Sequence, residues 1–331
     1  MPPRSIRVAK ELEPTAAWAV RPLLSINDLG DAELRYLVER GIAMRRGEGA
    51  GSLRGKAVGI WFRKTSTRTR TSFTIGAAKL GADTIAYGPA DLQTNTGETV
   101  EDTAAVLSGF LDALVIRTAE SLAEMRALAD QPRMAVVNAM SENEHPTQAL
   151  ADLTTMLEHF GRLEGLHVLY MGEGNNSAAA LALSMSRIPG MRLTLLTPAG
   201  YGLSPQVLAE AHAYGADSGA VVEESHDLAD LPRGVDVVYT TRWQTTGSSK
   251  PDPEWRRGFE PFRVTEAVMR AAAAPHGVFM HDLPAHRGEE VDASVLDGPR
   301  SIALRQAQNK MYSAMAVLEW CVVGPRRPAA A

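Results

Sequence analysis

Between residues 62 and 73 the chain reads FRKTSTRTRTSF, which crowds Arg63, Lys64, Arg68 and Arg70 among Ser66, Thr67, Thr69 and further hydroxyl side chains. An apolar run, KAVGIWF (56–62), precedes the cluster and a helical pattern follows it. Cations at a helix start oppose the helix dipole unless an anion answers them. Ser66 is placed as the N-cap, which leaves the first-turn amides of 67–69 toward such an anion. The helix end is worth about 0.3–1 kcal/mol. One arginine roughly 4 Å from a phosphate charge gives about 4 kcal/mol at an effective dielectric near 20, before desolvation. The predicted guest is therefore a phosphate-like anion gripped mainly by guanidinium groups, with the helix end orienting it. Arg70 is the exception, placed to point away and pair with a carboxylate.

Two more apolar runs end in the same kind of chemistry. LDALVIR (111–117) finishes in Arg117, and MAVVN (134–138) leads through SENE to His145, Thr147 and Gln148. Ligands of open parallel sheets sit outside the carboxyl ends of the strands. Three strand ends thus offer cations and hydrogen-bonding groups to one place.

The elements that must position them follow from periodicity. Strands are predicted near 56–62, 111–117, 134–138, 166–171, 192–196, 235–240 and 277–281, with helices filling most gaps, an α/β pattern of parallel strands. Phe73, Ala77 and Leu80 recur at helical spacing, as do Leu150, Leu153 and Leu157. The second series lies in 145–160, which opens on Pro146, stops at Gly161 and reads as a bridge between two domains. A last amphipathic helix carries Met311, Met315 and Leu318, ahead of a GPRRPAAA tail expected to fray.

At 331 residues the chain suits two domains of ordinary size. Its net charge of −5 argues against nucleic acid or an anionic membrane as main partner, so the basic cluster is local. The single cysteine, Cys321, excludes an intrachain disulfide framework. The N-terminal MPPRSIRVAK lacks the apolar core of a secretory signal, and no apolar run approaches the roughly 18–20 residues of a membrane helix. The expected location is cytoplasmic.

Two other chemistries are weighed and set aside. HVLYMGEGNNSAAAL (167–181) imitates a dinucleotide fingerprint, but the third glycine is a serine and the next strand, RLTLLTP, ends without an acid for a ribose hydroxyl. HDLPAHRGEE (281–290) holds two histidines and several acids at spacings that fit no standard zinc pattern, and His286, Glu289 and Glu290 read as a solvated loop. Neither a metal nor an organic cofactor is expected.

STRTR (66–70), VIRT (115–118), HPTQ (145–148), MGEGNN (171–176) and HDLP (281–284) together resemble, in order and approximate spacing, the aspartate/ornithine carbamoyltransferases. HPTQALADLTTMLEHFGRLEGL and Lys64 lean toward the ornithine branch. The resemblance implies two doubly wound parallel-sheet domains joined by interdomain helices: a carbamoyl phosphate domain over 1–145, and a Rossmann-like acceptor domain over 146–304. The terminal helix, 305–331, would pack back on the first. It also implies a homotrimer with sites at subunit boundaries. Ser66, Thr67, Arg68 and Thr69 would bind the phosphoryl group, and Thr69, Arg117 and His145 the carbamoyl oxygen. Gln148 and the Leu283 backbone would take the carbamoyl nitrogen, Gln93 would reach a neighbouring subunit's site, and Lys310 replaces the family's terminal arginine.

The acceptor half departs from the family pattern. Asp282 stands where ornithine enzymes carry cysteine, and Thr241-Arg242-Trp243 stands where they carry Asp-Thr-Trp. TTRWQ (240–244) is similar to the Thr-Arg-x-Gln of aspartate enzymes. Asn176 matches the acceptor-binding asparagine, and Thr245 and Thr246 occupy the Ser-Met positions. The implied acceptor is a small diamino acid, ornithine or a shorter relative such as 2,3-diaminopropionate, its amino group drawn to Asp282 and its carboxylate to Arg242. Asp282 and Lys310 are also counted in the carbamoyl phosphate site, and Asp282 among the catalytic residues. The alternatives are another amine (putrescine, an N-acylated ornithine or aspartate) or a non-catalytic member of the family. The bland alternative has Asp282 capping backbone amides and Arg242 facing solvent.

Overall fold

The computed structural model describes residues 19–118, 120–245 and 249–325, the side chain of Asn95 excepted; Thr246 and most of the tail expected to fray lie outside the described residues. Four strands, β1 (Ala57–Phe62), β2 (Asp83–Tyr87), β3 (Ala113–Arg117) and β4 (Ala135–Asn138), form a parallel sheet in the order β2-β1-β3-β4. Five more, β5 (His167–Met171), β6 (Arg192–Leu196), β7 (Val221–Ser225), β8 (Val235–Thr240) and β9 (Ala273–His281), form a second parallel sheet in the order β7-β6-β5-β8-β9. The two-sheet α/β architecture is the one expected.

Every predicted strand is present. The two not anticipated, β2 and β7, are sheet edges whose sequences DTIAY and VVEES stay largely exposed, so they carry no continuous apolar run. Parallel strands buried on both faces read as such runs, whereas edge strands keep polar residues.

The helices are α1 (Asp31–Arg45), α2 (Thr67–Lys79), α3 (Val100–Leu107), α4 (Ala123–Ala129), α5 (Pro146–Phe160), α6 (Asn176–Met185), α7 (Pro205–Ser218), α8 (Trp255–Phe259), α9 (Glu266–Ala272), α10 (Ala293–Leu296) and α11 (Ala303–Val323). Helix α5 begins on Pro146 and ends at Gly161, whose φ of +70° is the left-handed conformation that glycine adopts without strain. Leu150 and Leu153 are buried, and the helix packs against α1, α6 and α11, so it connects the two sheets as a core element.

Helix α11 returns from the second sheet to lie on α1, α2 and α5, with Met315, Leu318 and Cys321 buried. Its approach to α2 is close: a Cβ on Gly76 would stand 3.0 Å from Met315 Cγ, so this position suits glycine. Arg40 of α1 grips Glu319 of α11 in a buried two-point pair, Nε to Oε2 at 2.7 Å and Nη2 to Oε1 at 3.2 Å. The core of the first sheet and the last helix are thereby fixed to each other, which matters because α11 carries Lys310. No helix among the described residues is long and apolar enough to cross a membrane.

Candidate active site

Strand order reverses between β1 and β3 in one sheet and between β5 and β8 in the other. Such switch points open crevices at the carboxyl ends of the strands. Here the two sets of strand ends line one cavity of about 300 Å³. Two hydrogen bonds tie its halves: the His145 amide donates to the Asn176 carbonyl at 3.1 Å, and Asn176 Nδ2 donates to the Ser141 carbonyl at 2.6 Å.

The first half is cationic. Ser66, Thr67, Arg68 and Thr69 line it from the start of α2, Arg117 from the end of β3, His145 and Gln148 from the start of α5, and Lys310 from α11. Ser66 holds the N-cap position in extended backbone, yet its hydroxyl makes no capping bond. The expected side-chain cap is therefore not formed, and the first-turn amides, which have no intrahelical acceptor, are left for a ligand.

Burial shapes every titration here. Arg117 is 8% exposed, and its Nε is buried without a hydrogen-bond partner among the described residues. Burial pulls its pKa down to about 10, with Asp282 opposing that and Arg68 adding to it. Arg68 is lowered by burial and partly restored by Asp282. Lys310, which donates to Gln148 Oε1, is pushed down to about 8 by burial, against the pull of Asp282 and with the repulsion of Arg117. Burial, then Lys310 and Arg117, hold His145 well below its usual range, so at neutral pH it is an uncharged imidazole. These are cations held at a cost, and an anion placed among them restores what burial takes away.

The sign of one consequence is fixed. As pH rises through about 8 the free protein loses the Lys310 charge, so affinity for inorganic phosphate falls. Between about pH 7.5 and 9.5, with the data corrected for the phosphate monoanion that persists at the lower end, titration calorimetry should record this fall, and Lys310→Met should flatten it. A flat wild-type profile would remove the Lys310 charge from the anion site. Fold stability moves oppositely over that window, because an unfolded lysine keeps its proton to about pH 10.4.

The second half holds one carboxylate. Asn176 and Ser177 reach the cavity from the start of α6, Thr241, Arg242 and Thr245 from beyond β8, and Asp282 and Leu283 from beyond β9. Asp282 Oδ1 accepts from the Thr241 hydroxyl at 2.9 Å and Oδ2 from the Ser177 hydroxyl at 3.1 Å. Asp282 thus holds side-chain hydroxyls, not the backbone amides of the bland alternative, and Arg242 lines the cavity half-buried. Leu283 (φ +54°) and Met140 (φ +145°) adopt left-handed backbone that non-glycine residues seldom take, and both line the cavity. The Leu283 amide donates to His281 Nδ1 at 2.8 Å. The buried His281 must then carry its proton on Nε2, which faces Glu290 Oε1 at 3.1 Å. Glu290 is fully buried, which corrects the expectation of a solvated loop there, and His286 and Glu289 are half-buried. The group His286, Glu289 and Glu290, within 4.8 Å of one another, lies outside this cavity.

Beneath the cavity lies a residue that sequence reading missed. Asp152, fully buried, accepts from Gln148 Nε2 and Gln306 Nε2, both at 2.7 Å, and from the Tyr239 hydroxyl at 3.1 Å. Burial raises it to about 7. Its place four residues after Gln148 on one helix face was a legible signal. Ser177 was missed as a site residue as well; the sequence marked it only as the serine in place of the fingerprint's third glycine.

Some predicted residues fall elsewhere. Gln93 is exposed, in a 3₁₀ turn over Gln93–Thr96, and its Oε1 takes the Thr96 hydroxyl at 2.7 Å, outside the cavity. Arg63 pairs with Glu120 at 3.1 Å and Glu124 at 2.7 Å and lies over the Trp61 ring. Arg70 does turn away, but it donates to the Tyr87 carbonyl at 3.3 Å and lies over Phe62, and among the described residues it pairs with no carboxylate.

Known proteins match both halves. Residues 21–158 match the aspartate/ornithine carbamoyltransferase carbamoyl-P binding domain, and residues 164–321 match the Asp/Orn binding domain of the same family. An ornithine carbamoyltransferase of Gloeobacter violaceus is 39% identical over 303 residues, covering 91% of this chain and 96% of that protein. One from Thermococcus kodakarensis is 37% identical over 304 residues, covering 91% of this chain and 96% of its own. The solved ornithine carbamoyltransferase from Pyrococcus furiosus superposes with a TM-score of 0.86 at 36% identity, over 95% of this chain and all of that one. The chain is a carbamoyltransferase of the aspartate/ornithine carbamoyltransferase family and sits in its ornithine branch.

Proposed function

We propose that the protein moves the carbamoyl group of carbamoyl phosphate to the side-chain amine of a small diamino acid, ornithine or a shorter relative such as 2,3-diaminopropionate. The observation that carries this reading is the pairing, in one cavity, of the half-buried Arg68 and the buried Arg117 and Lys310 with Asp282, the one carboxylate that lines it among the described residues. A phosphorylated donor suits the cations and an ammonium suits the carboxylate. The names of the relatives favour ornithine. The exchange of carboxylate position, Thr241 and Asp282 in place of the family's Asp and Cys, favours an acceptor of altered length.

In this reading residues 1–145 hold the donor and 146–304 the acceptor. Ser66, Thr67, Arg68, Thr69 and the α2 amides take the phosphoryl oxygens. Arg117, Thr69 and neutral His145 donate to the carbamoyl oxygen, where negative charge grows as the amine attacks, and preorganised donors of this kind are usually the largest catalytic contribution. Gln148 accepts from the carbamoyl nitrogen on the lone pair that Lys310 does not occupy, and the Leu283 carbonyl takes the other hydrogen. The amine arrives as an ammonium and must lose a proton, at about 4 kcal/mol for a pKa near 10.4, a cost that the surrounding cations reduce. The new N–C bond forms as the bond from carbon to the phosphate oxygen breaks. The departing phosphate accepts the second proton of the amine, giving a ureido product and hydrogen phosphate. The same reading makes the protein a homotrimer in which Gln93 serves a neighbouring copy.

A panel assay decides the acceptor. Phosphate release and product mass are followed with carbamoyl phosphate plus ornithine, 2,4-diaminobutyrate, 2,3-diaminopropionate, putrescine, N-acetylornithine or aspartate. Release with one of the first three is expected. Release with putrescine, N-acetylornithine or aspartate alone would replace the diamino-acid reading, and none with any amine would overturn carbamoyl transfer.

A further inference from the structure

Hydrogen-bond accounting around Asp282 says more about the acceptor than its charge alone. An ionised carboxylate only accepts, so in both contacts the hydroxyl must be the donor: Ser177 to Oδ2 and Thr241 to Oδ1. A hydroxyl has one hydrogen to give. With that hydrogen engaged by Asp282, each of these oxygens can only accept from anything else. Asn176 Nδ2 is turned onto the Ser141 carbonyl, which fixes the amide with its oxygen as the free end. Ser177, Thr241, Asn176 and Asp282 all line the cavity. Together they make a wall of acceptors contributed by three strand ends, after β5, β8 and β9.

We infer that Ser177, with Thr241, is a specificity-determining residue that converts Asp282 into an acceptor-only socket for the reacting ammonium of the substrate. The inference rests on the carbamoyl-transfer reading and names the group that reading leaves open. An ammonium brings three donors and no acceptor, so it can satisfy this wall. A hydroxyl in its place brings one donor and leaves the remaining acceptors unanswered, and a carboxylate brings none. Sites built to bond a particular polar group reject the analogue lacking it by large factors, because buried partners are left unpaired. The reacting amine is assigned to the socket because Asp282 lines the same cavity as Arg68, Arg117 and Lys310 and is the opposite charge that acts on all three, which places it beside the donor half. The socket holds the incoming ammonium while those cations favour loss of its proton to solvent. Ser177 holds Asp282 in place and also presents its own oxygen to the socket.

The test uses binding, kept separate from turnover. Wild type is first saturated with an unreactive phosphonate analogue of carbamoyl phosphate. It is then titrated by calorimetry with each of three diamino acids and with the partner in which the side-chain amine is a hydroxyl: serine for 2,3-diaminopropionate, homoserine for 2,4-diaminobutyrate and 5-hydroxynorvaline for ornithine. The tightest diamino acid is expected to exceed its hydroxyl partner at least about 100-fold. In Ser177→Ala that preference should drop about tenfold, while Ser177→Thr, which keeps the hydroxyl, restores it and the affinity for the phosphonate stays within about twofold, showing a folded site. An unchanged preference in both Ser177→Ala and Thr241→Val, a wild type that prefers the hydroxyl compound, or a wild type that binds no diamino acid would each overturn the socket. A protein with the preference intact but no phosphate release would instead overturn the transfer reading.

Discussion

Replacing Arg117 with methionine is expected to lower kcat/KM for carbamoyl transfer by about 10³-fold, equivalent to about 4 kcal/mol of lost transition-state stabilisation. Arg117 closes the end of β3, is all but fully buried, and its Nε has no partner among the described residues. A buried, unsatisfied donor at a strand end is already desolvated before substrate arrives, so little reorganisation accompanies the reaction. Methionine fills similar space and donates nothing. Lysine should rescue poorly, since a point charge cannot reproduce the planar fork of the guanidinium. Steady-state phosphate release gives the measurement; a loss below tenfold would mean that Arg117 does not touch the reacting group.

Asp282→Asn carries the second large effect. The side chain keeps its shape but loses its charge, and a hydrogen bond to a charged group contributes about 1.5–3 kcal/mol, so acceptor KM should rise about 10- to 150-fold with a smaller change in carbamoyl phosphate affinity. A second readout distinguishes this from general damage. Asp282 raises the pKa of Lys310, Arg117 and Arg68 against the pull of burial. Without it Lys310 loses its proton at lower pH, and the fall in anion affinity expected of wild type near pH 8 should move to more acidic values. An unchanged acceptor KM would take the carboxylate out of the acceptor site, and an unmoved pH profile would separate it from the cations.

The donor half of the site was legible in the sequence because each of its groups is tied to a strand end that announces itself. Buried strands such as AVGIWF and ALVIR leave continuous apolar runs, and the residues that close or soon follow them, Arg117 in the second and Ser66–Thr69 after the first, fall in the cavity. His145 and Gln148 were readable for the same reason, being fixed to the proline-led start of α5. Strands β2 and β7 escaped because an edge strand with one solvated face loses that run.

The acceptor half was only half legible. Asp282 and Arg242 stood out as charges where the family pattern lacks them, but nothing local tells where a loop carboxylate points. Its partners lie 105 and 41 residues away, at Ser177 and Thr241. Contacts of that separation are products of the sheet order, in which β5 and β9 flank β8. Asp152 belongs to the same class: its helix spacing to Gln148 was visible, whereas its meeting with Tyr239 and Gln306 required the fold. The left-handed backbone at Met140 and Leu283 had no sequence signal, since neither is a glycine.

The central claim is that a doubly charged phosphoryl compound is held at the ends of the first sheet chiefly by guanidinium groups. Titration calorimetry of carbamoyl phosphate into wild type and into an Arg68→Ala, Arg117→Ala double variant tests it most directly, with circular dichroism confirming that both are folded. Two charge-assisted contacts of about 1.5–3 kcal/mol each predict a loss of affinity of at least about 100-fold in the variant. Equal affinity in the two proteins would contradict the account.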